Sequence, residues 1–296
     1  MPMLKPEGRP ELDVNACLRC GKCIAACSLD VLEMGESGPE ATGEAPCFRC
    51  GHCIAVCPAS ALSHPGMKAE HFRELLPDEE GVNPELLFDL LRKRRSVRNY
   101  TSEQVSEEDI MQLIEAAVQA PSGLNAQSWC FTIIQDQEHL AHIRRRIRAI
   151  YLTLLKMLDS RVTTFMLRLQ VGQEAVDVLE EARPLLEGIV DAERTGADRL
   201  FWNAPTLMIV HSPEEDPTGA ESAHYAVGNL MLMATAMGLG TCLIGFLTQV
   251  AEHDRRVREL IGVPDDHSLD AALVIGHPDV EFLRSVDKRA AKIEFI

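Results

Sequence analysis

This 296-residue chain lacks an unbroken apolar run of the roughly 18 residues that a bilayer crossing requires: even its long uncharged stretch, residues 222–251, is interrupted by His224, Asn229, Thr235 and Thr241, so the sequence predicts no membrane insertion. Nor does a basic stretch lead into an apolar one near the start. MPMLKPEGRPELD is polar and proline-rich, unlike a secretory leader, and the cytoplasm is the expected compartment. Positive charge is also short: 29 Lys and Arg stand against 45 Asp and Glu, a net charge of −16. Such a chain lacks the positive field that nucleic-acid phosphates need, so nucleic acid is not an expected partner. The glycine fingerprint of a dinucleotide-binding βαβ unit is missing, which makes any nicotinamide nucleotide a visiting substrate rather than a held cofactor. What remains is a chain long enough to bury a substantial core as one large domain, or a large and a small one.

Cysteine is plentiful but uneven. Eight of the ten fall into two copies of one pattern: Cys17, Cys20, Cys23 and Cys27, then Cys47, Cys50, Cys53 and Cys57 followed by Pro58. A disulfide framework belongs to secreted chains, against the compartment expected here. Structural zinc is the stronger rival, because cysteines two residues apart suit a tetrahedral ion. The spacing C-x2-C-x2-C-x3-C, however, is that of iron–sulfur ligands in bacterial ferredoxins. Over roughly residues 10 to 64 the chain resembles the two-cluster bacterial ferredoxin family, with Ser28 where proline usually follows the fourth cysteine. That resemblance implies two [4Fe–4S] clusters with crossed ligands. Cys17, Cys20, Cys23 and Cys57 would hold one, and Cys47, Cys50, Cys53 and Cys27 the other. Gly21 and Gly51 sit where the backbone must bend close to a cluster.

The first domain is expected over 1–64. Residues 65–84, rich in proline, glycine and charge, read as a linker, and a second domain over 85–296 follows. There, helical spacing in SEEDIMQLIEAAVQA alternates with apolar runs WCFTIIQ, TLMIVHS and AALVIGH, which predicts an α+β or α/β arrangement of helices over a sheet. Ser106 with Asp109 reads as a helix N-cap. Residues 138–200 are charged and helical in period without strand signals, and are expected to be a helical insertion or lid. Met231, Met233 and Met237, with Cys130 and Cys242, read as packing residues. His211, His224 and the other histidines lack metal-ligand spacing and carry no expected role.

Three segments stand out in the second domain. Arg92 to Arg98 is a basic knot in an acidic chain, either a solvated helix end or an anion site built from guanidinium forks and a hydroxyl. The loop Pro121-Ser122-Gly123-Leu124-Asn125-Ala126-Gln127-Ser128-Trp129 carries several uncharged hydrogen-bonding groups. Gly238 to Phe246 places glycines where a flat ligand could approach the backbone. In this order the three are similar to the motifs of the nitroreductase family of FMN enzymes, over about residues 85 to 296. The resemblance implies an α+β flavin domain, with a central sheet flanked by helices, in an entwined homodimer whose core includes the helix around SAHYAVGNLMLMATAMGLG. It assigns the FMN phosphate and ribityl groups to Arg94, Arg95 and Ser96, and the N1–O2 edge to Arg98. Pro121, Ser122, Asn125 and Gln127 would belong to the loop that meets the other subunit's FMN. Leu243, Ile244 and Gly245 form the third segment, with the backbone of Ile244 and Gly245 facing N5. Arg284, Lys288 and Arg289 would be phosphate-binding cations. Ile244 stands where some members carry an acidic residue.

Together these readings describe an FMN-dependent oxidoreductase that receives electrons through two clusters, or from NAD(P)H or a redox protein such as ferredoxin. It would reduce a nitroaromatic, a quinone or a related conjugated acceptor by the flavin's own chemistry, with no catalytic side chain required. The alternative is a non-catalytic electron-relay subunit of a larger redox complex.

Overall fold

The computed structural model describes residues 8–42, 46–75, 81, 83–192 and 196–296. The chain folds as two compact units, Met1–Gly81 with Ser122–Gln127, and Val82–Pro121 with Ser128–Ile296.

The first unit is a duplication with an offset of 30 residues. Strand β1 (Glu11–Leu12), helix α1 (Lys22–Ala25) and the hairpin strands β2 (Leu32–Met34) and β3 (Pro39–Ala41) precede helix α2 (His52–Ala55) and strand β4 (Leu62–Ser63). β1 pairs antiparallel with β4, and β2 with β3. Gly21 and Gly51, at φ 72° and 74°, open α1 and α2 in the left-handed region that glycine enters without a side-chain clash. Arg19 and Arg49 repeat the same sign of φ two residues earlier, at 51° and 53°. The hydrophobic centre is small: Cys23, Leu32 and Leu62 are buried, with Leu12, Ile24, Cys53 and Ile54 packed around them. A unit with so little apolar core needs another source of stability, and metal ligation is the usual one. Of the expected linker, residues 76–80 and 82 lie outside the described residues, and Pro84 already belongs to the next helix.

The second unit opens with α3 (Pro84–Lys93), capped by Asn83, whose side chain accepts from Glu85 N–H at 2.8 Å. Helix α4 (Glu107–Ala117) follows. Ser106 Oγ accepts the Asp109 N–H at 3.0 Å and donates to Asp109 Oδ2 at 2.7 Å, which satisfies an otherwise orphaned donor of the first turn. Strand β5 (Cys130–Ile134) leads to α5 (Gln137–Asp159), α6 (Arg161–Val171) and α7 (Gln173–Ala192). Then come β6 (Thr206–Pro213), α8 (Gly219–Ala236), β7 (Gly240–Leu243), α9 (Gly245–Ala251), α10 (Arg255–Leu260) and β8 (His267–Gly276). The four strands form one sheet in the order β5-β6-β8-β7, with every neighbouring pair antiparallel.

Alternation along the strands builds two cores. Met208 and Val210 face α4 and α8, whereas Leu207 and Ile209 face the cluster built from α5, α7, α9 and α10. On α4, Ile110 and Leu113 are buried, each contributing roughly 1.5–3 kcal/mol from lost water contact. Helix α8 lies on its own sheet through Ala223, Ala226, Val227, Leu230 and Ala234, of which the three alanines admit close packing. The helix expected at a dimer centre is thus first a core helix of its own chain, with Tyr225 left 54% exposed. Met231, Met233 and Met237 pack against the same core. The helical stretch expected over 138–200 comprises α5, α6 and α7, with residues 193–195 outside the described set. It is more than a cover: Leu140, Ile143, Ile147 and Tyr151 of α5 are buried in the core shared with the strands.

Candidate functional site

In the first unit the two cysteine runs do not form two separate nests. One cavity is lined by Cys17, Cys20, Cys23 and Cys57, the other by Cys47, Cys50, Cys53 and Cys27. The fold brings together the two sets that crossed ligation requires. Electrostatics divides them in the same way. Burial, with repulsion from Cys57 and Cys20, pushes the Cys23 thiol up. Burial, with Cys50, Cys47 and Cys27, pushes Cys53 to about 11. Four sulfurs facing one another cannot all ionise without a cation among them, a charge that iron would supply. Backbone N–H groups point at the same sulfurs: Arg19 N–H to Cys17, Val31 N–H to Cys27 and Ala61 N–H to Cys57, each at 3.3 Å. Hydrogen bonds to the sulfurs are among the features by which a protein tunes an iron–sulfur cluster. The residues fit two cubane clusters.

His64 is a participant that the sequence did not single out. Buried at 4% exposure, its Nδ1 accepts the Gly66 N–H at 3.0 Å, which leaves the ring proton on Nε2, 3.8 Å from Cys47 Sγ. Burial and the nearby Arg49 charge hold its pKa below the ordinary histidine value, so the ring stays neutral. Thirty residues earlier the duplicated position is Met34, so among the described residues only one of the two cavities has this histidine donor. Nothing in local spacing distinguishes His64; the signal is the asymmetry between the two repeats.

The loop expected to meet a flavin is strained. Leu124, Asn125 and Gln127 all have positive φ, from 50° to 55°, an arrangement that persists only where the surroundings impose it. Ser122 Oγ accepts the Gln127 N–H at 3.1 Å. The Asn125 amide donates to the carbonyls of Phe48 and Arg49 at 3.0 and 2.9 Å, and its Oδ1 accepts from Gln127 Nε2 at 2.8 Å. The Asn125 side chain expected to face FMN is thereby engaged within the first unit, on the carbonyls next to Cys47 and Cys50.

In the second unit the first and third motifs lie side by side. Val97 N–H bonds to Thr241 O at 2.9 Å, and Ser96 bridges in parallel to Thr241 on β7. Gly240 is needed for that approach, since a Cβ there would come within 2.8–2.9 Å of the Val97 side chain. Arg94 and Arg95 are half-buried, and Ser96 and Arg98 exposed. The Arg98 guanidinium stands 5.3 Å from the Trp202 ring centroid, a cation–π contact. Trp202 and Asn203 themselves take positive φ, 51° and 55°. Trp202 is a second residue that sequence reading passed over, and one of only two tryptophans in the chain. Arg95 Nη2 reaches the carbonyl of Arg284 at 3.4 Å, which brings that part of the C-terminal segment to the basic knot. Lys288 and Arg289 are exposed further along it. Pro121 is the last residue before the loop assigned to the first unit.

The third motif departs from expectation at Ile244. Its N–H is donated to Ala272 O at 2.8 Å and its side chain is 2% exposed within the core, so neither is free for a ligand. Gly245 has no side chain and begins α9, where its N–H has no acceptor within the helix. Leu243 turns outward at 48% exposure. A flat ring over this corner would therefore meet Leu243 and Gly245 rather than Ile244. The cations, the hydroxyl of Ser96 and this bare corner suit a phosphate-bearing aromatic cofactor.

Comparison with known proteins agrees with both units. A family model described as the nitroreductase family matches residues 91–277, and one described as a 4Fe-4S dicluster domain matches residues 9–58. An iodotyrosine deiodinase of Thermotoga neapolitana is 30% identical over 195 residues, spanning 66% of this chain and 89% of the relative. A solved iodotyrosine deiodinase bound to FMN and 3-iodo-L-tyrosine has 27% identity and a TM-score of 0.51, over 71% of this chain and 98% of that one. A nitroreductase with bound FMN from Bacteroides fragilis, at 23% identity and a TM-score of 0.52, covers 73% of this chain and 100% of its own, a likeness of fold. Among the described residues no helix is long and apolar enough to cross a membrane.

Proposed function

This chain belongs to the nitroreductase family and carries a 4Fe-4S dicluster domain ahead of it, and from that premise we propose an FMN-dependent oxidoreductase fed through two [4Fe–4S] clusters. Electrons enter from a redox protein such as ferredoxin, or from NAD(P)H. They leave on a small conjugated acceptor: a nitroaromatic, a quinone or, given the relatives named for deiodination, an iodinated phenol. The observation that carries the reading is the crossed lining of two four-cysteine cavities on the same chain as a flavin-enzyme fold.

When bound, the clusters carry single electrons, and the flavin collects two and delivers them as a hydride or in two steps. The chain's own residues bind and orient. Arg94, Arg95 and Ser96, with cations of the C-terminal segment such as Arg284, Lys288 and Arg289, hold the phosphate and ribityl groups. Arg98, steadied by Trp202, places positive charge at the N1–O2 edge, where it favours the anionic reduced ring. Gly245 lets that ring approach the backbone. The loop of Pro121, Ser122 and Gln127 serves the flavin of the second subunit in a homodimer, with Asn125 anchoring that loop through Phe48 and Arg49. Support for that homodimer comes from α3, which leaves Leu86, Leu87, Phe88 and Leu91 between 44% and 69% exposed, an apolar face that a second copy would cover.

Anaerobic purification should yield about eight irons per chain, as two cubanes require, and one FMN. The protein with reduced ferredoxin or NAD(P)H should then convert a nitroaromatic, a quinone or an iodinated phenol over many turnovers. Stoichiometric oxidation that stops after one equivalent would instead identify an electron-relay subunit.

A further inference from the structure

The second unit brings together three metal-ligating side chains that are scattered in sequence. Cys130, His211 and His267 offer ligand atoms that all lie within 4.8 Å of one another. Cys130 begins β5 and is the direct ladder partner of His211 on β6, so both side chains share the face on which Ile209 and Ile134 are buried.

His267 reaches that face through an irregularity in the sheet. β6 and β8 pair regularly from Thr206↔Ile275 to Val210↔Ala271, but His211 then pairs with Leu269, leaving Asp270 as an extra residue on β8. One extra residue moves every following side chain to the other face. Without it, His267 would lie on the side of Ala271 and Leu273, away from His211. The bulge is held in place: Asp270 accepts from both Ser212 Oγ and Ser268 Oγ at 2.7 Å. Arg258 fixes the start of β8 by donating to the carbonyls of Pro264 and His267 at 2.8 and 2.5 Å.

The imidazoles are poised as ligands. His211 Nδ1 and His267 Nδ1 face each other at 2.8 Å, and His211 Nε2 lies 3.3 Å from Thr132 Oγ1. With the proton of His211 on Nε2, toward that hydroxyl, its Nδ1 accepts the proton of His267 Nδ1, the proton that an entering metal would displace. The threonine is then the outer partner that orients a metal-bound histidine.

We propose that Cys130, His211 and His267 form a zinc site that ties together β5, β6 and β8. One thiolate and two imidazoles suit a borderline-soft ion of tetrahedral preference, and three protein ligands leave its fourth position to water or a small ligand. Cys130 and His267 are half-buried, which gives the ion a way in. The site is separate from the eight cluster cysteines and from the flavin residues, so it stands or falls independently of the functional reading above.

The full chain, purified anaerobically with its iron, is incubated with zinc chloride and desalted. It should retain about one zinc per chain. Zinc-edge X-ray absorption should show one sulfur at about 2.3 Å and two nitrogens at about 2.0 Å. Cys130→Ser and His267→Asn should each lose that zinc and keep iron and flavin content unchanged. Wild-type protein that holds no zinc after desalting would overturn the proposal. So would an all-sulfur shell, which would mean zinc misplaced in the cluster cavities, or undiminished zinc in both variants.

Discussion

At the scale of single residues, His64 sets one cluster cavity apart from the other. His64 Nε2 faces Cys47 Sγ, and its repeat partner Met34 has no side-chain N–H to offer. A hydrogen bond to a ligand sulfur stabilises the more negative, reduced cluster. His64→Leu should therefore lower the potential of one cluster and leave the other in place. A shift of about 60 mV, one tenfold step for a single electron, is expected in an EPR-monitored redox titration. Crossing makes a sharper prediction. Cys57→Ser should remove the cluster bound chiefly by the first run, so that iron falls from about eight to about four per chain while the EPR signal of the cluster beside Cys47 and Cys50 survives. Arg98→Gln removes the cation stacked on Trp202. FMN retention should weaken by about tenfold, the worth of one charge-assisted hydrogen bond, as read by fluorescence of released flavin.

At the scale of elements, β7 depends on a missing side chain. Gly240→Ala would drive a methyl into Val97, at a cost of roughly 2 kcal/mol, or about 6 °C in the thermal midpoint for a unit of this size. Adding Val97→Ala should recover part of that loss, so the double variant is more stable than the two single effects summed. The same strand shows where sequence reading reaches its limit. β5, β6 and β8 were legible as apolar runs bounded by turns, and Ser106 with Asp109 announced α4. β7 was not, because four residues led by glycine carry too little alternation to distinguish a strand from a glycine-rich loop. The strands of the first unit, two or three residues each, are too short to show any period. The Cys130, His211 and His267 cluster was equally hidden: its members lie 56 residues or more apart, and a register slip that sequence does not encode visibly brings His267 to the shared face.

At the scale of the whole molecule, the two-part organisation was legible because its signals are local: eight cysteines at fixed spacing, then alternating helix and strand patterns. The grouping of residues 122–127 with the first unit was not, since it depends on hydrogen bonds that Asn125 makes across more than seventy residues of chain. Association is the remaining property of this scale. The apolar face of α3 should mediate it, and Leu87→Asp would place a carboxylate on both sides of a symmetric interface. Only 44% of each Leu87 remains to be covered, so losing it on both sides costs roughly 2 kcal/mol and should weaken the proposed dimer by about thirtyfold. Sedimentation should show monomer, and flavin should be lost with it. The thirty-residue duplication has a consequence of its own. Either half, cut out alone, would present three cysteines to one cavity and send its fourth outward, so a half-length ancestor could complete a cubane only by joining a second copy of itself. On that view the first unit is a fused homodimer, in which one polypeptide now supplies the fourth ligand that two once had to exchange.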